Sequence, residues 1–344
     1  MKGFTRLAAC AAVGLLASPA VNADAISDFY AGKAMTLIIS TGAGGGVDAN
    51  ARVVAKNLAN HIPGKPTIVP KNMTGAGHLQ ATNFMYNVAP KDGTSLAAIL
   101  PAFVLYQIID GSGVQYDARN FLWIGANDAD DNMNIYVWHT VPVKSVADAK
   151  TREVLMGGTG AGSYTNLWPA LMNNLLGTKF KMVMGYKATT EIHLAMERGE
   201  VDGRAGNFFS SLRSQNPDYV RDHKITLLAQ FGTSRDPEFN DVPLLTDLAG
   251  TDEGRRIAAL FSAELALGRL FITTPGVPAD RLAALRKAFA ETMDDPAFRA
   301  DAAKADIRVN PRSAEKLKSI AEDILSTPPD LIAKAKVAST FKGE

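Results

Sequence analysis

Met35-Thr-Leu-Ile-Ile-Ser40, then Thr41-Gly-Ala-Gly-Gly-Gly46, then the stretch from Val47 to about His61 read as a short apolar strand, a glycine-rich turn and a helix. The same device returns as Glu153-Val-Leu-Met156, Gly157-Gly-Thr-Gly-Ala-Gly162 and a helical stretch from Ser163 to Leu176. Such a turn presents bare backbone N–H groups at a helix N-terminus, where the helix dipole also favours negative charge. One copy is either a phosphate site or only a tight turn. Two copies predict two similar half-structures facing one anionic ligand.

Working outward, Pro66-Thr-Ile-Val-Pro-Lys71 is short and apolar enough for a strand, and Asn72-Met-Thr-Gly-Ala-Gly77 makes a third glycine turn. His78 to about Val88 carries Leu79, Phe84, Met85 and Val88 at near-helical spacing. Pro90-Lys-Asp-Gly93 has turn chemistry, and Thr94 to Leu100 reads as a strand. This alternation predicts parallel βαβ units. Residues 121–126 and 133–138 read as further strands, with the acidic, loop-like Asn127–Asn132 between them. The pattern repeats to Ile225–Gln230: a helix near Thr189–Arg198 is stopped by Gly199, and Val201-Asp202 starts the next strand. Beyond Pro278 four helices are expected, Arg281–Met293, Pro296–Ala305, Ser313–Leu325 and Pro329–Val337, the first N-capped by Ala279-Asp280.

The N-terminus reads as a secretory signal peptide. Lys2 and Arg6 form a positive n-region, Leu7 to Ala17 an apolar h-region, and small residues offer cleavage after Ala23 or Ala25. Leu7-Ala8-Ala9-Cys10 resembles a lipobox in form, but cutting there leaves an h-region of only a few residues. Lys2 and Arg6 leave with the leader, so the 36 basic groups fall to 34 against 35 acidic ones. That balance argues against nucleic acid or a polybasic membrane surface as partner. Cys10, the one cysteine, leaves too, which excludes disulfides, thiolate nucleophiles and cysteine–metal sites from the mature protein. No later stretch approaches ~20 uninterrupted apolar residues, so a soluble product is expected. The mature length favours two domains, assigned as 26–126 with 231–344 and as 127–230.

Ser40-Thr-Gly-Ala-Gly-Gly-Gly-Val-Asp-Ala-Asn-Ala-Arg52, Val69-Pro-Lys-Asn-Met-Thr-Gly-Ala-Gly77 and Ala89-Pro-Lys-Asp-Gly-Thr-Ser-Leu96 resemble, in order, motifs of the solute-binding receptors of tripartite tricarboxylate transporters, the Bug family. Gly157–Ser163, Gly185-Tyr-Lys-Ala188, Gly199-Glu-Val-Asp202 with Asn207, Asp241-Val-Pro243 and Pro275-Gly-Val-Pro278 continue the resemblance to the end of the chain. The first loop departs by lacking the usual proline pair, and Ala188 stands where a glycine is commoner. The resemblance implies an α/β, type II (Venus-flytrap) periplasmic binding protein, with a ligand cleft between two domains and a chain that crosses between them twice. It also implies a small carboxylate ligand, a membrane permease as partner, no catalytic centre, no cofactor and a monomer. The implied lining is Ser40, Thr41, Gly42, Ala43, Gly44, Gly45, Ala76, Pro101, Ala102, Thr159, Gly160, Ala161, Gly162, Ser163, Thr165, Lys187, Arg204, Asn207 and Phe208.

Several of these residues have a plain alternative. Gly42 and Gly44 fit the start of a dinucleotide fingerprint, but Val47 stands where its third glycine belongs. Asp48 is better read as a helix cap than as a ligand contact, because a carboxylate would repel a carboxylate ligand. Arg204 reads first as a surface arginine; pointing inward, it would clamp a ligand carboxylate. Of Phe208 and Phe209, at least one is expected in the core, and the other is a candidate for the cleft wall. His61, His78, His139, His193 and His223 show no ligating spacing, so no metal is expected. The rival function is a periplasmic two-domain hydrolytic enzyme, for which no Gly-x-Ser-x-Gly elbow exists.

Overall fold

A computed structural model of the 344-residue chain describes residues 20–160 and 162–341. The n- and h-regions of the expected leader, with Cys10, lie outside the described residues, as does Ala161. The expected cleavage positions fall within a helix, Ala20–Tyr30.

In chain order the strands are β1 (Ala34–Ile39), β2 (Thr67–Asn72), β3 (Ser95–Ala98), β4 (Leu122–Ala126), β5 (Met133–Trp138), β6 (Glu153–Gly158), β7 (Lys179–Met184), β8 (Gly203–Phe208), β9 (Ile225–Phe231), β10 (Leu270–Thr273) and β11 (Arg312–Ser313). They form two sheets, ordered β11-β4-β10-β3-β1-β2 and β7-β6-β8-β5-β9. Apart from β11, the two share one plan. In each, a strand–turn–helix device begins an interior strand, β1 or β6. The following strand, β2 or β7, takes the edge, and the third, β3 or β8, pairs on the other side. Those pairings are parallel, as the βαβ reading requires. The rest are not: β10 runs antiparallel to both β3 and β4, and β5 runs antiparallel to both β8 and β9. The sheets are therefore mixed, and β10, only four residues long, had no periodic signal of its own.

The local reasons are legible. Met35, Leu37, Ile38 and Ile39 are all buried because β1 is covered on both faces. Pro70 is tolerated because β2 is an edge strand. Gly199 takes φ +73° just past the helix Thr189–Glu197, the left-handed C-terminal stop expected of it. The expected Asp280 cap is corrected: the helix runs Ala279–Asp294 from Pro278, and Asp280 only accepts the N–H of Arg281. Two largely buried helices, Ala102–Ile109 and Phe209–Gln215, go beyond the elements expected from the sequence. Segment 127–132, which joins the sheets, is buried: Asp128 and Asp131 are fully enclosed and face Arg269. Among the described residues no helix is long and apolar enough to cross a membrane.

Candidate functional site

Between the sheets lies a cavity of about 460 Å³, a volume ordinary for a small-molecule site. The first glycine turn contributes Thr41, Gly42 and Gly45, opening onto the helix Gly46–His61. The second contributes Thr159, Gly160, Gly162 and Ser163, opening onto the helix Tyr164–Leu176. Lys187, Ala188, Thr189 and Thr190 bring a third helix N-terminus to the wall. The first N–H groups of each helix have no partner within it, so three positive dipole ends converge.

The first turn is held from behind. Asp48 accepts the N–H of Gly44 at 2.9 Å, Arg52 Nε at 3.0 Å and Asn72 Nδ2 at 2.8 Å. Asn72 also donates to Thr41 O, and Arg52 to Asn72 Oδ1. Burial resists ionisation of Asp48, but the hydrogen bonds from Arg52, Gly44 and Asn72 outweigh it and hold the carboxyl below its ordinary value. Asp48 thus sits inside the helix and braces the turn, rather than capping the helix end. Its bond occupies the Gly44 N–H, and neither Gly44 nor Ala43 reaches the cavity. Thr41 Oγ1, in contrast, is buried without a partner. Ser40 Oγ accepts the N–H of Leu100.

The hydroxyls of the second turn are committed to one another. Ser163 Oγ donates to Gly160 O at 2.6 Å and lies 2.6 Å from Thr165 Oγ1, which accepts the N–H of Thr159. With the serine proton used, Thr165 donates to Ser163, and Thr159 is left as the hydroxyl at the open end of the chain, 3.2 Å from Thr165. Ser163 and Thr165 therefore shape the turn.

The third glycine turn also reaches the cavity, with Thr74, Gly75, Ala76, Gly77 and His78. Of these, only Ala76 belongs to the lining that the family resemblance implies. Ala76 and His78 take φ +46° and +80°, which costs energy for residues bearing a Cβ. His78 Nδ1 meets Ser40 O at 3.0 Å, and burial lowers its pKa, so the ring is neutral and presents Nε2 as an acceptor. No sequence signal marks a left-handed histidine. Pro101 and Ala102 fall behind the wall, while Leu100 and Tyr106 line it.

On the far wall, β8 carries Arg204, Asn207 and Phe208. Asn134 opposes Asn207 and Ile135 opposes Ala205, so Gly206, at φ +70°, is an extra residue in the strand. This bulge breaks the two-residue alternation and lets Arg204 and Asn207 face the same side. Arg204 is not a surface residue: it is 1% exposed. Its Nη1 lies 2.9 Å from His193 Nε2, which is also 3.0 Å from Tyr136 Oη. Arginine only donates, so Nε2 accepts and His193 is neutral; burial and then the Arg204 charge push its pKa down to about 3. Phe208 lines the cavity, and Phe209 is core, stacked on Phe239 with centroids 4.2 Å apart.

The charged lining residues are Lys187 and Arg204, and no Asp or Glu is among them. The two halves touch around this space: Gln215 Nε2 donates to Gly44 O at 3.0 Å, and Gly42 packs against Ala188. Among the described residues no group of three or more His, Cys, Asp or Glu is placed to hold a metal.

Residues 50–337 match the family described as "Tripartite tricarboxylate transporter family receptor". A Cupriavidus necator protein described as "UPF0065 protein in gbd 5'region" is 27% identical over 337 residues, covering 96% of this chain and 95% of that protein. The solved periplasmic binding protein BugD is similar at TM-score 0.70 and 19% identity, over 89% of this chain and 98% of its own. MatC from Rhodopseudomonas palustris, with bound malate, is similar at TM-score 0.67 and 18% identity, over 87% of this chain and 99% of its own. Another R. palustris protein, with adipate, gives TM-score 0.68 at 19% identity, over 88% of this chain and 97% of its own. At these identities the structural likeness establishes the fold, a two-domain periplasmic binding protein.

Proposed function

The chain belongs to the tripartite tricarboxylate transporter receptor family, and on that footing we propose that it captures a small carboxylate-containing ligand in its cleft and delivers it to a membrane permease of that transporter type. It is a solute-binding receptor rather than an enzyme, as the family and its solved relatives are.

The observation that carries the carboxylate reading is a cavity onto which helix N-termini open and which, among the described residues, has no acidic lining residue and no partner for the Thr41 hydroxyl. Hydrogen bonds to a charged acceptor contribute roughly 1.5–3 kcal/mol each, so three or four reach the ~8 kcal/mol of micromolar binding. The malate and adipate held by the R. palustris relatives support the same chemistry. The contact set on this reading is Thr41, Gly42, Gly45, Thr159, Gly160, Gly162 and Asn207.

The protein works in the periplasm as a monomer after losing its leader, cut after Ala23 or Ala25. Its domains are 26–126 with 231–344, and 127–230. Intact-mass measurement of periplasmic extract checks the leader: a chain starting at Asp24 or Ile26 supports it, and a diacylated Cys10 overturns it. A thermal-shift screen of carboxylic acids checks the receptor role. A true ligand raises the melting temperature according to RT ln(1 + [L]/Kd) and is recovered unchanged by mass spectrometry. No acid raising it, or recovery of a converted product, overturns the reading.

A further inference from the structure

Arg204 is a charge in the wrong place for a residue with only structural work to do. It is 1% exposed and lines the cavity, yet among the described residues no carboxylate lies within ion-pair distance of it. The groups that face it are neutral: His193 accepts from it, and Tyr136 and Tyr219 keep their phenolic protons because burial raises their pKa values. A buried unpaired cation is strongly disfavoured. The other deeply buried arginine of the chain is treated in the opposite way. Arg269, 6% exposed, has Asp131 at 3.2 Å and Asp128 at 3.9 Å, with Ser210 and Ser211 accepting from the same guanidinium.

The hydrogen-bond count leads to the same place. A guanidinium carries five donors in a planar fork. Arg204 uses one on His193 and one, at 3.4 Å, on Gly206 O, with the Tyr136 hydroxyl also beside the guanidinium, and among the described residues its buried Nε has no partner. A guanidinium with donors to spare and no counter-charge, on a residue that lines the cavity, fits a receptor for a planar anion.

We propose that Arg204 selects ligands bearing a second anionic group, the ligand itself supplying the counter-charge that the protein omits. One carboxylate sits at the glycine turns and the other on the Arg204 fork, with Asn207 beside it on the bulged strand. Tyr136 and His193 hold the fork without neutralising it. The inference rests on the carboxylate-receptor reading above and adds the ligand's second charge and the residue that reads it.

The test is calorimetry with matched pairs that differ only in the second carboxylate, butanoate with butanedioate and hexanoate with hexanedioate. The proteins are the wild type, Arg204→Gln and Arg204→Lys. Wild type is expected to bind at least one diacid about 100-fold more tightly than its partner monoacid, the order of two charge-assisted hydrogen bonds. Arg204→Gln keeps a donor for His193 and removes the charge. It is expected to bring diacid and monoacid affinities to within about threefold, leaving the monoacid value near wild type. Arg204→Lys keeps the charge without the fork and is expected to retain part of the discrimination. The wild-type ratio stands alone if a variant fails to fold. Equal affinity of wild type for both members of each pair, or undiminished discrimination in Arg204→Gln, overturns the role of Arg204 while leaving the carboxylate reading intact. Binding of no acid of either kind overturns the carboxylate reading, and this inference with it.

Discussion

Gly77 and Gly162 meet backbone to backbone across the cleft: a Cβ on Gly77 would stand 2.6 Å from the Gly162 Cα. The two residues belong to glycine turns that follow strands of opposite sheets, so the contact bridges the two halves. Gly77 also takes φ +60°, where a side chain is strained. Gly77→Ala is therefore expected to fold but to close poorly. Calorimetry should show at least a tenfold loss of affinity, and small-angle scattering a radius that no longer shrinks with saturating ligand. Wild-type affinity in this variant would mean that closure does not need the contact.

Thr41 and Ser163 separate a hydroxyl that waits for a ligand from one that shapes a turn. Thr41→Val removes an unpartnered buried donor while keeping the volume. The expected outcome is about tenfold weaker binding, near 1.4 kcal/mol, with the empty protein at least as stable as wild type. Ser163→Ala breaks the bond to Gly160 O, so its effect should appear first in the melting temperature of the empty protein. Differential scanning calorimetry beside titration calorimetry resolves the two.

Gly44 and Gly160 look alike in sequence and should respond differently to valine. Gly44 sits at φ +79° with its N–H bonded to Asp48, so a branched side chain strains the backbone and costs about 1–2 kcal/mol of stability. Nothing lies within 4 Å of a Cβ built on Gly160, which lines the cavity. Gly160→Val should leave the empty protein's melting temperature unchanged and abolish binding by filling ligand space.

Glu264 is expected to set an alkaline limit on stability. It is fully enclosed, and burial, opposed only in part by the neighbouring Tyr164 hydroxyl, raises its carboxyl from 4.5 to about 8. A folded-state pKa above the unfolded one means the folded protein holds the proton more tightly. No penalty exists below about pH 4.5; it grows as the pH rises toward 8 and then levels off. Its full size is on the order of 4–5 kcal/mol at 1.36 kcal/mol per pK unit. Denaturation of Glu264→Gln and wild type across this range should show the variant gaining steadily on wild type. A gap independent of pH would mean that Glu264 does not titrate with folding.

What the sequence made legible was local. The devices at 35–61 and 153–176 carry their own signals, an unbroken apolar strand, glycines and an amphipathic helix, so both appear where expected. β10 was invisible because four apolar residues have no period, and its place depends on strands far away in the chain. Arg204 reads as exposed in the sequence for a related reason. Charge predicts exposure, and only the register of β8 against β5, shifted by the Gly206 bulge, takes it inside. His78 escaped because a left-handed histidine follows from packing around the third turn, not from its own preference.

The position of β10 also orders the protein's assembly. Strands β3 and β4 do not pair with each other; β10 stands between them, and it is made only after all of the second sheet's strands have emerged. The second sheet, drawn from one continuous stretch, has every partner at hand much earlier. Contacts that close short loops form first, so the half holding the chain's beginning is the half completed last. Pulse-labelling hydrogen exchange during refolding should find 133–231 protected ahead of 34–126, and simultaneous protection would refute that order. A nascent or partly translocated chain therefore owns half a cleft, and cannot trap a solute until its tail has arrived.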